Sequence, residues 1–346
     1  MKYNDVSIKV ACLPVAGIEN PYQYLMLEGL NSDCRLHAFN GIDDRFFGIM
    51  RTAIRYRPDY IHFDWITSYY FRKKLWMTIL NIPLFIFQIL VVRYVFTIKI
   101  VWTLHNIQPH DTRYIGIHSI CRRFFASHVE WIRVFARDTG ERARNCLQIN
   151  SRFIVCPEGS YRNYYGRTMA KSEARDKLGI VDNPFVFLYL GFVKPYKGIE
   201  DLISAFNLLE VPNVKLIVAG KSMNDEYSAS LSCDNHNIIF VNRFIESEEL
   251  SAFYSAADVC VLPFKKIENS GSAILAMGFG KVVIAIKQGV LKTRLSKQSQ
   301  FLYEDDNLLD KMRDALLERS RLEEIGKINI QEVEKYSWEE FANHFL

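Results

Sequence analysis

The stretch FVFLYLGFVKPYKGIEDLISAF, residues 185–206, decides the fold. Its first five residues are apolar without alternation, as in a strand buried on both faces of a parallel sheet. A turn with Gly191 and Gly198 follows, and residues 199–208 then repeat apolar side chains at helical spacing. Strand, turn and helix in that order predict one unit of a βαβ sheet. Downstream the pattern predicts strands at 214–219, 238–241, 259–262 and 282–285. Helices are expected at 247–256, with Ser247 as cap and Leu250 facing inward, and at 273–278. Upstream it predicts strands at 7–13, 34–38, 60–63, 99–104, 133–136 and 153–156. Asn20 and Pro21 suit the cap and first position of a helix over 21–29. The polar stretch 161–182 separates the two patterns. With 346 residues, the chain exceeds one ordinary core. The expected fold is α/β, with two doubly wound Rossmann-like domains facing a cleft, over residues 1–165 and 166–336. Such sheets take ligands at the carboxyl ends of their strands.

Composition narrows the classes. Charged residues make up 24% of the chain, which excludes a disordered composition. The seven cysteines are scattered with no CxxC pair, so they read as buried free thiols in a reducing compartment. The first residues hold no long apolar run of a secretory signal. Residues 1–166 carry 21 lysines and arginines against 13 acidic residues, whereas residues 167–346 carry 22 against 26. A basic first half suits an anionic partner, whether a membrane surface, a phosphorylated acceptor or nucleic acid, or is an ordinary solvated surface. The partner expected here is the membrane, with no nucleic acid. The most apolar stretch, 79–92, is too short to span a bilayer. It follows Arg72, Lys73, Lys74 and Trp76, and could lie in the bilayer interface or pack as a core helix.

Three strand-end loops carry chemistry. In residues 191–198, Lys194 and Lys197 stand between glycines before a helix, where compact positive charge and close backbone approach suit a diphosphate. The loop lacks the spacing of a P-loop. In PFKKIENSGSAILAMGFG, residues 263–280, Ser270, Gly271 and Ser272 open a helix whose free amides can hold phosphate oxygens. Ser270 could cap that helix or touch phosphate, Asn269 adjoins it, and Glu268 is placed to accept bonds from sugar hydroxyls. In WTLHNIQPHD, residues 102–111, His105, His110 and Asp111 share one loop, and histidine there can act as acid, base or hydrogen-bond partner. No metal-ligand spacing is evident, so no metal or other cofactor is expected.

These loops resemble a known family. GFVKPYKGIEDLISAF, FIESEELSAFYSAADVCVLPF and ENSGSAILAMGFGKVVIA look like the donor-binding domain of group 1 glycosyltransferases with the GT-B fold. WTLHNIQPHD resembles their acceptor-side histidine loop, and NPYQYLMLEGL the opening of a branch with bacterial β-mannosyltransferases of exopolysaccharide assembly. YSWEEFANHF resembles their last helix, which implies that residues 337–346 return to the first domain. The resemblance implies a transferase moving a hexose from a nucleotide-diphosphate sugar, GDP-mannose or a UDP-sugar, to a lipid-linked or saccharide acceptor. Surface polysaccharide assembly at the inner face of the cell membrane is the setting it implies, with the first domain in peripheral contact. Lys194 and Lys197 would hold diphosphate, Gly271 and Ser272 would offer amides, Glu268 would contact the donor sugar, and His105 would lie near the transferred sugar.

The chain departs from the family at two places. Ala276 stands where the second glutamate of an E-x7-E motif grips ribose, and residues 16–22 replace a glycine-rich loop. Both leave stereochemistry open, with inversion slightly preferred. An inverting transfer needs a base, for which Asp64, His105 and Glu158 are candidates. The departures also raise a non-catalytic scaffold that kept the fold. A sugar-nucleotide epimerase fits the ENSGSAILAM loop less well.

Overall fold

A computed structural model describes residues 7–17, 20–108, 113–166, 168–231, 234–265, 267, 269–304 and 307–346. Among them, twelve strands form two parallel sheets. The first holds β1 (Ile8–Leu13), β2 (Leu36–Asn40), β3 (Tyr60–Phe63), β4 (Lys99–Thr103), β5 (Trp131–Val134) and β6 (Phe153–Val155), in the order β2-β1-β3-β4-β5-β6. The second holds β7 (Phe185–Leu190), β8 (Val214–Ala219), β9 (Ile238–Val241), β10 (Val259–Leu262), β11 (Val282–Ile286) and β12 (Leu302–Tyr303), in the order β12-β11-β10-β7-β8-β9. Both sheets are doubly wound. The strand order reverses between β1 and β3 in one and between β7 and β10 in the other.

The chain divides into two compact units, Met1–Glu158 with Ser337–Leu346, and Gly159–Tyr336. In the first, Phe63, Tyr70, Phe85, Trp102 and Phe125 fill the core between sheet and helices. Residues 337–346 complete it: Phe345 packs edge-on against Trp131 and Tyr60, and Trp338 against Tyr22. A Cβ on Gly29 would come within 2.5 Å of the Trp338 carbonyl carbon. Glycine therefore lets helix Pro21–Asn31 lie against that segment.

The helix over 21–31 starts as the sequence predicts, with the Asn20 side chain accepting from the Tyr22 amide. Several bounds move. β2 starts at Leu36 instead of residue 34, because Leu36 is the partner of Ile8 in the ladder. β5 runs over Trp131–Val134 instead of 133–136, paired from Val101 onward on β4. Ser247 is not the cap of its helix: Glu246 accepts from the third helical amide, and Glu249 returns the bond in a capping box. Helices Gly289–Arg294, Leu308–Leu317 and Leu322–Glu334, and the two-residue β12, form where the sequence predicted no element. Four cysteines, Cys12, Cys121, Cys156 and Cys260, are buried free thiols, but Cys34 and Cys146 are exposed. Cys233 lies outside the described residues.

The polar stretch 161–182 contains a helix, Lys171–Lys177, tied to the second sheet by buried charge. Arg175 is 5% exposed and its guanidinium meets Asp258 at 2.9 Å, while Nε donates to the Ala256 carbonyl. Asp258 also accepts from the Val186 amide at the start of β7 and pairs with Lys171. A buried pair loses far more from removal of one partner than it contributes intact, because the other charge is stranded. Arg175→Ala is expected to lower stability by about 3–5 kcal/mol, read as a shifted urea midpoint. A change within the scatter of surface substitutions would show that Asp258 is re-solvated.

Candidate active site

In the first unit, polar side chains gather at the carboxyl ends of β1, β3 and β4, beside the reversal of strand order. Asp64 directly follows β3 and is 2% exposed. His105 follows β4, and its Nε2 lies 2.9 Å from Asp64 Oδ1. Against an ionised carboxylate that nitrogen carries the proton, which leaves Nδ1 as the acceptor. The imidazole is wedged between rings. Trp65 stacks on it at 4.8 Å and 22°, and Tyr22 meets it edge-on at 4.9 Å. Its side chain retains 13% exposure while that of Asp64 has none. Solvent therefore reaches the histidine and not the carboxylate.

Asp64 is held from other sides too. Gln23 Nε2 lies 3.4 Å from Oδ2 and donates to the Pro14 carbonyl at 2.9 Å. His62 Nδ1 lies 3.9 Å from the same carboxylate and has no hydrogen bond, while Nε2 sits 2.7 Å from Thr103 Oγ1. Burial presses the His62 pKa down to about 4, helped by Arg133 and His105, so this ring is neutral near pH 7 and makes no ion pair. Burial alone would raise the Asp64 carboxyl. His62 where it is itself protonated at low pH, the His105 hydrogen bond and the Arg133 charge outweigh it and hold the group below its ordinary value.

Arg133 is the cluster's buried cation. Its guanidinium donates to the Cys156 and Pro157 carbonyls and to the Tyr22 hydroxyl, and lies 4.0 Å from the Phe341 ring centre. Glu158 is buried too and bears on Arg133 and Tyr22 electrostatically. Of the three candidate bases, Asp64 and His105 are hydrogen-bonded partners, and Glu158 belongs to the arginine side of the cluster. His110 and Asp111 lie outside the described residues. Tyr22, Gln23, Trp65 and Arg133 were not singled out from the sequence as site residues. Trp65 adjoins Asp64, which was the one available signal.

In the second unit, the loops after β7 and β10 flank that sheet's own reversal. They are fitted together closely. Gly198 has φ +70°, and a Cβ there would lie 2.0 Å from the Pro263 carbonyl oxygen, so no other residue allows this approach. The Lys265 amide donates to the Tyr196 carbonyl, and a Cβ on Gly191 would come within 3.8 Å of the Ser272 hydroxyl. The Lys197 ammonium sits 3.9 Å from the Phe264 ring centre and 5.2 Å from that of Tyr196. Burial and the neighbouring Lys194 charge press its pKa down to about 8. Among the described residues no carboxylate pairs with it. A half-buried cation packed on rings, with no carboxylate partner among the described residues, suits an anion-binding loop. Lys194 is half-exposed in the same loop, 5.4 Å from the Phe192 ring centre.

Helix Gly271–Gly278 begins at this place. Ser270 is its cap, accepting from the Ala273 amide at 3.1 Å. Of the two roles open to its hydroxyl, the structure shows capping. Gly271 and Ser272 carry the first helical amides, and Asn269 is half-buried ahead of them. Glu268 lies outside the described residues. Ala276 is 1% exposed on the same helix.

Residues 170–332 match the family model described as glycosyl transferases group 1. Over 256 residues the chain is 25% identical to a GDP-mannose:glycolipid 4-beta-D-mannosyltransferase of Xanthomonas campestris pv. campestris, covering 71% of this chain and 66% of that one. The chain thus matches just under two thirds of that relative's length. A lipopolysaccharide 1,2-N-acetylglucosaminetransferase of Salmonella typhimurium is 28% identical over 55% of this chain and 54% of its own. Among solved structures, sucrose-phosphate synthase from Thermosynechococcus elongatus superposes with a TM-score of 0.74 at 18% identity, covering 97% of both chains. Anabaena HepE in complex with UDP and glucose gives 0.73 at 15% identity, covering 98% of both. These two likenesses bear on the fold alone. Residues 170–332, just under half of the chain, are thus identified as a group 1 glycosyl transferase domain.

Proposed function

We propose that the protein transfers a hexose from a nucleotide-diphosphate sugar to a hydroxyl of a lipid-linked or saccharide acceptor. Peripheral contact of the first unit with the inner face of the cell membrane, during bacterial surface polysaccharide assembly, belongs to the same reading. The observation that carries it is the Asp64–His105 pair. Burying a carboxylate to orient one histidine costs folding energy, and leaving that histidine accessible gives the cost a chemical use. The activity of the Xanthomonas relative makes GDP-mannose the first donor to try, ahead of UDP-sugars.

The proposed step inverts configuration. His105 Nδ1 takes the proton of the acceptor hydroxyl, and Asp64 stabilises the imidazolium that forms. The acceptor oxygen bonds to the anomeric carbon as the bond from that carbon to the diphosphate oxygen breaks. The nucleoside diphosphate leaves with the bonding electrons. Lys197, Lys194 and the amides of Gly271 and Ser272 are assigned to its phosphates, so the reading calls for no metal. Glu268 and Asn269 are assigned to the donor sugar. Ala276 supplies no carboxylate for ribose, the observation that favours a scaffold; transferase relatives and the intact base pair weigh more.

His105→Ala and Asp64→Asn are each expected to lower kcat by about 100- to 10,000-fold while leaving donor affinity unchanged. Turnover near wild type from either variant would remove the base assignment, and an anomeric proton coupling of the product matching the donor would remove inversion. Lys197→Ala should weaken donor binding by about 10- to 100-fold, the worth of one charge-assisted bond, and abolish the donor-induced rise in Tm. Because the charged lysine binds the anion and its pKa in the free protein is about 8, affinity should fall as pH rises from about 7 to about 9. Lys197→Arg should flatten that profile. A pH-independent wild-type affinity would place the diphosphate elsewhere.

A further inference from the structure

Helix Leu75–Leu90 continues through a π-helical turn, Val91–Val95, as an apolar run of 21 residues. Its polarity is inverted. The stripe facing the protein holds Thr78, Asn81 and Gln88 together with Phe85, Ile89 and Val92. Gln88 accepts from the Met50 amide and donates to the Phe46 carbonyl, Thr78 caps Arg72 through both amide and carbonyl, and Asn81 donates to Met77. The outer stripe holds Trp76, Leu80, Phe87 and Tyr94, exposed by 59%, 66%, 58% and 65%, with Leu75, Ile79 and Val95 beside them. A helix on a water-facing surface places its polar residues on the opposite side. Here that order is reversed, and the outer face is suited to hydrocarbon.

Charge says what covers it. Lys73 and Lys74 precede the helix, both exposed and without an ion pair among the described residues. Arg72 lies 4.9 Å from the ring centre of exposed Phe46, next to exposed Arg45 and Phe47. Within the 21-residue run the one charged residue is Arg93, neutralised by Glu130 at 2.6 Å. An apolar face with tryptophan at a cationic end fits the boundary between acyl chains and anionic headgroups. The run is long enough to cross a bilayer, but Phe85, Ile89 and Val92 belong to the core of the first unit. It must therefore lie along the surface.

We infer that the outer face of Leu75–Val95, with its Arg72–Lys74 collar, is an in-plane docking surface for an anionic lipid bilayer. The inference rests on the reading of the acceptor as lipid-linked, and it names the surface that brings the protein to such an acceptor.

Flotation of the full chain with vesicles of phosphatidylcholine, with or without phosphatidylglycerol, tests it. The protein should float with the mixed vesicles and far less with the neutral ones. Leu80→Glu combined with Phe87→Glu should leave it in the soluble fraction. Lys73→Ala and Lys74→Ala should each weaken partitioning about fivefold, the effect of one cation at an anionic surface. Brominated lipid should quench the tryptophan fluorescence of the wild type and not of Trp76→Phe. An unchanged donor-induced Tm shift verifies that each variant folds. Wild-type protein that stays soluble with both vesicles, or partitions equally into both, overturns the inference. So does a concentration-dependent dimer broken by Leu80→Glu, since a second copy would then cover the face. Transfer to a soluble acceptor without vesicle binding would sink the docking surface alone, and vesicle binding without transfer would sink the enzymatic reading alone.

Discussion

Parallel strands end together, and this constraint organises both units. Every strand of a parallel sheet delivers its carboxyl end to the same edge, and the crossover helices then leave for one face or the other. Where the strand order reverses, neighbouring loops part to opposite faces and leave a gap that no helix fills. In the first sheet the gap between β1 and β3 receives Pro14, Gln23 and Asp64, with His105 arriving from β4. In the second, the gap between β7 and β10 receives Lys197, Phe264 and the start of helix Gly271–Gly278. Two different chemistries occupy equivalent positions because the backbone creates the same opening twice.

The charges at these openings differ in kind from those elsewhere. Arg175 is buried against Asp258, the Asn183 side chain and the Ala256 carbonyl take its other donors, Asp258 also accepts from Lys171 and the Val186 amide, and the pair serves the fold. Lys197 is half-buried against rings, and the described part of the chain offers it no carboxylate. Asp64 is bonded to a histidine that retains contact with solvent. Satisfied buried charge is structural, whereas incompletely compensated charge beside an opening is poised for a ligand.

The strands were legible because runs such as FVFLY and VCVL leave few alternatives to burial on both faces. Their bounds were less so, since the ladder partner decides where a strand starts, as Ile8 does for Leu36. The two loops of the second unit could be read as local words: lysines between glycines, serine before a helix. The Asp64–His105 pair could not, because 41 residues separate its members and only the register of β3 with β4 brings their loops together. The ring sandwich around His105 needed Tyr22 from still farther away. The long apolar helix was visible as composition, but its inverted orientation depends on which stripe the sheet accepts. That is a property of packing, not of the local string.

Residues 337–346 give the first unit a temporal order of assembly. Phe341 covers the Arg133 guanidinium and Trp338 backs the Tyr22 ring that holds His105. During synthesis these residues emerge after the whole of the second unit. At about 5–20 residues per second the ribosome needs on the order of ten to thirty seconds to cross that unit. Throughout that interval the six strands of the first sheet have been made, but the aromatic cover over its buried cation has not. The surroundings of Asp64 and His105 are therefore completed only after the second unit has been made.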